Sequence, residues 1–153
     1  ISCEGEIGFV GYQNGDHSKG TDPKEAKRFA LDTGVDAMAI SCGNVHLQEN
    51  KEGALDVMLI KEIEKVTGIP LVIHGGSGVP VDQRKSLARD TNICKFNIGT
   101  ELRMVFGRAL RNAINNDQTR FDRVQILEET INPVYDATID ILKGFGAPNH
   151  LVS

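Results

Sequence analysis

Pro70-Leu71-Val72-Ile73-His74-Gly75-Gly76-Ser77-Gly78 is the stretch whose reading decides the fold. Residues 71–74 are a short, branched, mostly apolar run after a proline, which reads as a buried strand. A glycine cluster follows, and residues 81–89 then read as a short helix. An apolar strand, a tight turn and a helix make one βα unit of a parallel sheet. The strand's one polar residue, His74, stands at its C-terminal end.

The same unit repeats on either side. Downstream, residues 93–97 form the next strand, Gly99-Thr100 follows it, and residues 101–115 read as a longer helix. In the tail, Ile131, Val134, Tyr135, Thr138, Ile141, Leu142 and Phe145 recur at steps of three and four, giving a helix with one apolar face. Pro133 begins or kinks that helix, and Gly144 and Gly146 end it. Upstream, Leu59, Ile60, Ile63 and Val66 mark an amphipathic helix closed by Gly68. Residues 43–53 are a polar loop, and residues 37–41 a buried strand. Before them Asp22-Pro23-Lys24-Glu25 opens a helix, with Asp22 as cap, Pro23 at the first position and Glu25 completing a capping box. Ala26, Phe29 and Ala30 continue it at helical spacing until Gly34. Residues 2–10 read as the first strand and residues 11–20 as its loop.

Strands alternating with helices imply an α/β fold with a parallel sheet and right-handed crossovers. The sheet is either open and doubly wound or part of an eight-stranded barrel, which needs roughly 200 residues or more. Four strand–helix units in 153 residues make half of such a barrel. Both architectures place their chemistry on the loops after the strands' C-terminal ends, where His74 and the glycine cluster stand.

Composition narrows the function. The chain is 40% hydrophobic and 25% charged, with a formal net charge of -4. That balance points to neither nucleic acid nor an anionic membrane as partner. No apolar run approaches the roughly 20 residues that span a bilayer, and the N-terminus does not read as a signal peptide. The chain begins at Ile1 rather than Met, which leaves a start further upstream open. Cys3, Cys42 and Cys94 show no CxxC pairing, so neither a thiolate zinc site nor a disulfide framework is expected, and a reducing, cytoplasmic setting is. Cys94, in an apolar stretch, reads as a buried filler.

His46, in Gly43-Asn44-Val45-His46, follows the strand at residues 37–41, so it shares a sheet rim with His74. Two neutral imidazoles meeting at one point begin a zinc site. A loop histidine taken alone is more often a surface residue, the reading kept for His17 and His150. The glycine cluster between strand and helix can offer backbone N–H groups to an anion, and Asn97-Ile98-Gly99-Thr100 has the same placement. Either loop alone is more often only a tight turn. Glu4 and Glu6 alternate along the first strand and share a face, which spacing leaves as either inward or outward.

Together these pieces resemble one family in order. They are Glu4-Gly5-Glu6-Ile7-Gly8, Thr21-Asp22-Pro23-Lys24-Glu25-Ala26, Thr33-Gly34-Val35-Asp36-Ala37, Gly43-Asn44-Val45-His46, residues 70–78, and Lys95-Phe96-Asn97-Ile98-Gly99-Thr100-Glu101-Leu102-Arg103. The chain resembles the zinc-dependent class II fructose- and tagatose-bisphosphate aldolases over residues 2–147. The resemblance implies a TIM (β/α)8 barrel, with residues 1–153 as the C-terminal half of that single domain, strands five to eight. It implies zinc on His46 and His74, with Glu6 beside the metal. It also implies contacts to dihydroxyacetone phosphate from Leu47, Gly75, Gly76, Ser77, Asn97, Ile98, Gly99 and Thr100, and a monovalent cation, Na+ or K+, on nearby carbonyls.

The activity implied is reversible aldol cleavage of a ketose 1,6-bisphosphate to dihydroxyacetone phosphate and glyceraldehyde 3-phosphate, in a homodimer or homotetramer. The sequence departs from the family pattern in lacking its third zinc histidine and its catalytic aspartate, so the chain alone is expected to be inactive. Leu47 replaces a common glycine, and Gln13 and Asn14 stand where many members carry acidic residues. Two other readings stand beside this one: a non-catalytic phosphate-binding half-barrel, and a zinc-free phosphate-barrel enzyme such as an isomerase.

Overall fold

The boundaries of the first two long helices are set by short local signals. In the computed structural model, which describes residues 1–9, 11–12, 20–46 and 53–146, the elements run β1 (Glu4–Glu6), β2 (Gly11–Tyr12), α1 (Pro23–Thr33), β3 (Ala37–Ile40), β4 (Val45–His46), α2 (Val57–Thr67), β5 (Leu71–Ile73), α3 (Val81–Asp90), β6 (Ile93–Phe96), α4 (Thr100–Asn116) and α5 (Arg123–Gly144). Asp22 Oδ1 accepts from the amides of Lys24 at 2.8 Å and Glu25 at 3.1 Å, which starts α1. Asp56 does the same for α2 through Leu59 N at 3.0 Å. Gly34 and Gly68 end these helices at φ +64° and +66°, a conformation that costs a side chain about 1–2 kcal/mol.

The chain forms two compact units, residues 1–98 and residues 99–153. The first holds a four-stranded parallel sheet in the order β1-β3-β5-β6. Each strand pairs with its successor through one crossover helix, and the order never reverses. No reversal of strand order falls within these four strands, as in half of a barrel or one half of a doubly wound sheet. A small second sheet pairs β2 with β4 in parallel, Gly11 opposite Val45 and Tyr12 opposite His46.

One face of the main sheet makes the core. Met38, Ile40, Leu71, Ile73 and Ile93 cluster there with Ala26 of α1, Ile60 and Ile63 of α2 and Leu87 of α3. Burying each such Leu, Ile or Met side chain contributes about 1.5–3 kcal/mol. Gly5 shares that face: a Cβ at its position would stand 2.8 Å from Phe29 Cε1. The space over β1 is filled by the Phe29 ring of α1, so Gly5 turns to the core and Glu4 and Glu6 turn to the opposite face.

Several expectations need correcting, among them the loops over residues 11–20 and 43–53, in which Gly11–Tyr12 and Val45–His46 pair as strands. The first strand is not one run over residues 2–10: β1 covers only Glu4–Glu6, and Gly8, at φ +89°, separates it from β2. The last helix begins at Arg123, capped by Asp122, whose Oδ1 accepts from Val124 N at 2.8 Å; Pro133 lies inside it and removes one backbone donor. Cys94 is exposed, and Cys42 is the buried thiol. Burial, aided by the Asp56 charge, pushes the Cys42 thiol up to about 12, so it stays protonated and unreactive.

In the second unit α4 and α5 pack on each other as a helical hairpin. Its buried residues are Ala113 and Thr130. Of the apolar residues assigned to one face of the last helix, Ile131, Tyr135 and Leu142 are exposed, so the face is narrower than its spacing suggests.

Candidate active site

The site is the polar face of the main sheet and the loops at its C-terminal edge. In a parallel sheet, residues in register place their side chains on the same side. Glu6 pairs with Ala39, Ala39 with Val72, and Val72 with Lys95, so all four share the face opposite the core. Glu4, two residues before Glu6, and His74, two after Val72, belong to it as well. Lys95 reaches this face only because the β5–β6 pairing slips. Leu71 stands opposite Ile93 but Val72 stands opposite Lys95, leaving Cys94 as the extra residue of a bulge. In unbroken register Lys95 would point into the apolar core beside Ile73.

His74 sits between two carboxylates. Its Nε2 lies 3.0 Å from Glu4 Oε1, and its Nδ1 lies 3.7 Å from Glu6 Oε1. The other oxygen of Glu4, Oε2, accepts from Lys95 Nζ at 2.6 Å. The His74 side chain is 18% exposed and that of Glu4 28%, against 47% for Glu6, so the Glu4 pairing is the more sheltered. Lys95, and then His74, hold the Glu4 carboxyl below the usual carboxylate range. With Oε2 taken by the Lys95 ammonium, Glu4 Oε1 is placed to accept from His74 Nε2, and Nδ1 faces Glu6.

The glycine loop is pinned from several directions. Gly75 adopts φ +66°, and Gly76–Gly78 form a single 3-10 turn. Gly76 N donates to Asn97 O at 3.0 Å, and Asn97 N to Ile73 O at 2.8 Å, which joins the loops after β5 and β6. A Cβ on Gly76 would stand 3.1 Å from Asn97 O and 3.5 Å from Ile98 Cγ1, so a side chain here would press on the loop after β6. Arg84, only 2% exposed, reaches back from α3 and donates from Nε to Val79 O at 2.8 Å and from Nη2 to Ser77 O at 3.0 Å. Gly99 and Thr100 fall in the second unit, where Gly99 precedes α4 and Thr100 is its first residue.

Asn44 ties the loop after β3 to the loop after β5. It is 1% exposed; its Oδ1 accepts from Cys42 N at 2.8 Å, and its Nδ2 donates to Ile40 O at 3.2 Å and His74 O at 3.0 Å. Asn44→Ala removes all three bonds in a buried setting. The expected cost is about 2–3 kcal/mol, since each buried group left unsatisfied costs about 1–3 kcal/mol. Chemical denaturation of the variant and the parent checks this.

Of the residues expected from sequence, Glu6, His74, Gly75, Gly76, Ser77, Asn97 and Ile98 are gathered at one edge of the first unit. The backbone of His46 pairs with Tyr12, and its imidazole lies outside the described side chains, while Leu47, Gln13, Asn14, His17 and His150 lie outside the described residues. Among the described residues no group of three or more His, Cys, Asp or Glu could hold a metal. Sequence reading missed Lys95, Asn44 and Arg84. Asn44, inside the quoted Gly43-Asn44-Val45-His46, and Lys95, first in the quoted segment through Arg103, left a signal; Arg84 left none.

A parallel βα sheet with an imidazole, carboxylates and a glycine loop along the C-terminal edge has the layout that βα folds give to their sites. The chain belongs to the class-II fructose-bisphosphate aldolase family, whose model matches residues 1–150. It is 34% identical over 154 residues to a fructose-bisphosphate aldolase of Staphylococcus aureus, covering 97% of this chain and 53% of that protein. It is 32% identical over 152 residues to the fructose-bisphosphate aldolase of Geobacillus stearothermophilus, covering 96% of this chain and 52% of that protein. The chain thus spans about half the length of the curated relatives it matches. Among solved structures, the YdjI aldolase of Escherichia coli K12 matches with a TM-score of 0.69 and 28% identity, over 96% of this chain and 48% of that one. Fructose-bisphosphate aldolase of Campylobacter jejuni shares the fold at a TM-score of 0.69 and 20% identity, over 97% of this chain and 53% of that one.

The donor set suits zinc. Imidazole nitrogen and carboxylate oxygen both bind zinc at about 2.1 Å, so His74 Nδ1 and Glu6 Oε1, 3.7 Å apart, are close enough to share one ion.

Proposed function

We propose that this chain supplies half of the active site of a zinc-dependent ketose-bisphosphate aldolase. The reaction is reversible cleavage of fructose 1,6-bisphosphate, or its tagatose epimer, to dihydroxyacetone phosphate and glyceraldehyde 3-phosphate. The observation that carries this reading is His74, held between Glu4 and Glu6 at the edge of a sheet whose chain belongs to the aldolase family. His46 and His74 would hold the metal, with Glu6 beside it. Bound zinc supplies Lewis acidity, drawing electron density from the substrate ketone.

The chain's own residues then bind and orient. Gly75, Gly76 and Ser77, with Asn97 and Ile98, receive the phosphate of the dihydroxyacetone half. Rigidity matters here because orientation can lower a barrier by several kcal/mol only if the bound geometry is held close to the reacting one. The Asn97–Gly76 bond and the two Arg84 bonds hold that loop. No residue of this chain is assigned the transfer of the proton at the cleaved carbon–carbon bond. We place the active protein in the reducing cytoplasm, because all three cysteines are free thiols, and as a homo-oligomer with four strands of a closed barrel from this chain.

The experiment is a cleavage assay on the native subunit, meaning this chain with whatever sequence accompanies it in its source. Fructose and tagatose 1,6-bisphosphates are compared with the unphosphorylated ketoses. Cleavage of a bisphosphate and not of the free ketose is expected; failure with both bisphosphates contradicts the proposal. The 153-residue chain by itself should bind zinc weakly and turn over little, because a catalytic zinc site needs three protein ligands plus an open position. Turnover at rates typical of enzymes by the isolated chain would overturn that.

A further inference from the structure

The bridge from Lys95 through Glu4 to His74 crosses the whole sheet. Glu4 is on β1 and Lys95 on β6, the two outer strands of the four, and between them on the same face lie Ala37, Ala39 and Val72, the last two fully buried. Small or short side chains in the middle strands leave room for the long ones to meet above them. Both oxygens of Glu4 are engaged, Oε1 at 3.0 Å with His74 and Oε2 at 2.6 Å with Lys95, so the carboxylate cannot rotate without losing a partner. Glu6, at 3.7 Å from Nδ1, is beyond hydrogen-bonding distance of the imidazole. The two glutamates therefore differ in kind: one bonds the ring at Nε2, and the other stands 3.7 Å from Nδ1.

The bulge at Cys94 belongs to the same device. A bulge disrupts the ladder locally, and bulges recur next to active sites where a side chain must be re-aimed. Here its result is that a lysine enters the polar face while Phe96 returns to the core side opposite Ile73. A lysine ammonium on Glu4 also neutralises that carboxylate, so Glu4 is kept for the imidazole N–H rather than offered to a cation.

We infer that Glu4, fixed by Lys95, is the positioning residue for His74, holding the ring in its Nε2–H tautomer with Nδ1 turned toward Glu6 and the metal. This rests on the reading of His74 as a zinc ligand and adds the groups that make it one. Outer partners of this kind orient a ligating imidazole, and their loss typically costs about 10–100-fold in metal affinity.

The test uses the native subunit in four versions: parent, Glu4→Ala, Glu4→Gln and Lys95→Met. Zinc affinity is read by competition with a chromophoric chelator, and the tautomer of His74 in the metal-free protein by its ring nitrogen-15 shifts. In the parent, Nε2 carries the proton. Glu4→Ala is expected to lose about 10–100-fold in zinc affinity and to mix the two tautomers. Glu4→Gln keeps an acceptor oxygen and should retain most of the affinity, and Lys95→Met should fall between them. A merely structural ion pair would change thermal stability and leave the tautomer and affinity alone. Should Glu4→Ala fail to fold, Lys95→Met and Glu4→Gln carry the same comparison, since Lys95 is 51% exposed. If the parent binds no zinc, the aldolase-site reading falls first. If it binds zinc but Glu4→Ala and Lys95→Met bind it equally well, or the parent carries its proton on Nδ1, the inference about Glu4 falls alone.

Discussion

His74→Ala in the native subunit is expected to lower bound zinc to background and kcat/KM by about a thousandfold or more. The substitution removes the one imidazole that the described residues place beside Glu6, at 3.7 Å. It also leaves the Glu4–Lys95 pair with no ring to hold. Metal Lewis acidity supplies several kcal/mol of transition-state stabilisation, and each 1.36 kcal/mol is a factor of ten in rate. The fold should survive: the His74 side chain lies outside the apolar core cluster, and its carbonyl bond to Asn44 at 3.0 Å is made by the backbone. Metal analysis beside a circular dichroism spectrum separates loss of zinc from loss of structure. A folded variant that retains both zinc and full activity would show that His74 is not a ligand.

Arg84→Ala should be strongly destabilising while leaving every assigned metal ligand in place. The guanidinium is 2% exposed and bonds two carbonyls of the loop that follows β5, those of Ser77 and Val79. Alanine strands both carbonyls in a buried setting and opens a cavity where the side chain ran. Each stranded group costs about 1–3 kcal/mol, so a loss of about 3 kcal/mol or more is expected. For a chain of about 150–250 residues that corresponds to roughly 6–12 °C in Tm. Because Ser77 lies in the loop proposed to receive phosphate, KM for the bisphosphate should rise as well. Arg84→Lys keeps the charge but not the planar fork, so it should recover only part of the loss. An unchanged Tm in Arg84→Ala would mean that the loop holds its shape without the guanidinium.

The alternation of the four main strands with their helices was legible where boundaries are local, whereas the short strands β2 and β4 fall in segments that read as loops. Asp22, Gly34 and Gly68 act within four residues of themselves, through a cap bond or a positive φ. The branched run at Leu71–Ile73 had no other plausible use than a buried strand. What escaped depended on partners distant in sequence. Alternation put Glu4 and Glu6 on one face but could not say which; Phe29, 24 positions after Gly5, decides it by filling the space over the glycine. The Cys94 bulge is a property of the β5–β6 pairing, and nothing in Ile93-Cys94-Lys95-Phe96 announces it. Cys94 was misread for that reason, and Lys95 was overlooked for the same one. Pro133 suggested a helix start, yet the capping bond of Asp122 lies eleven positions earlier.

The most direct measurement is the zinc content of the native subunit by native mass spectrometry, paired with its cleavage of fructose 1,6-bisphosphate and tagatose 1,6-bisphosphate before and after treatment with a strong chelator. The account predicts a subunit that carries zinc, loses cleavage when stripped, and regains it when zinc is returned. A zinc-free subunit that cleaves the same substrates with no response to the chelator would contradict it.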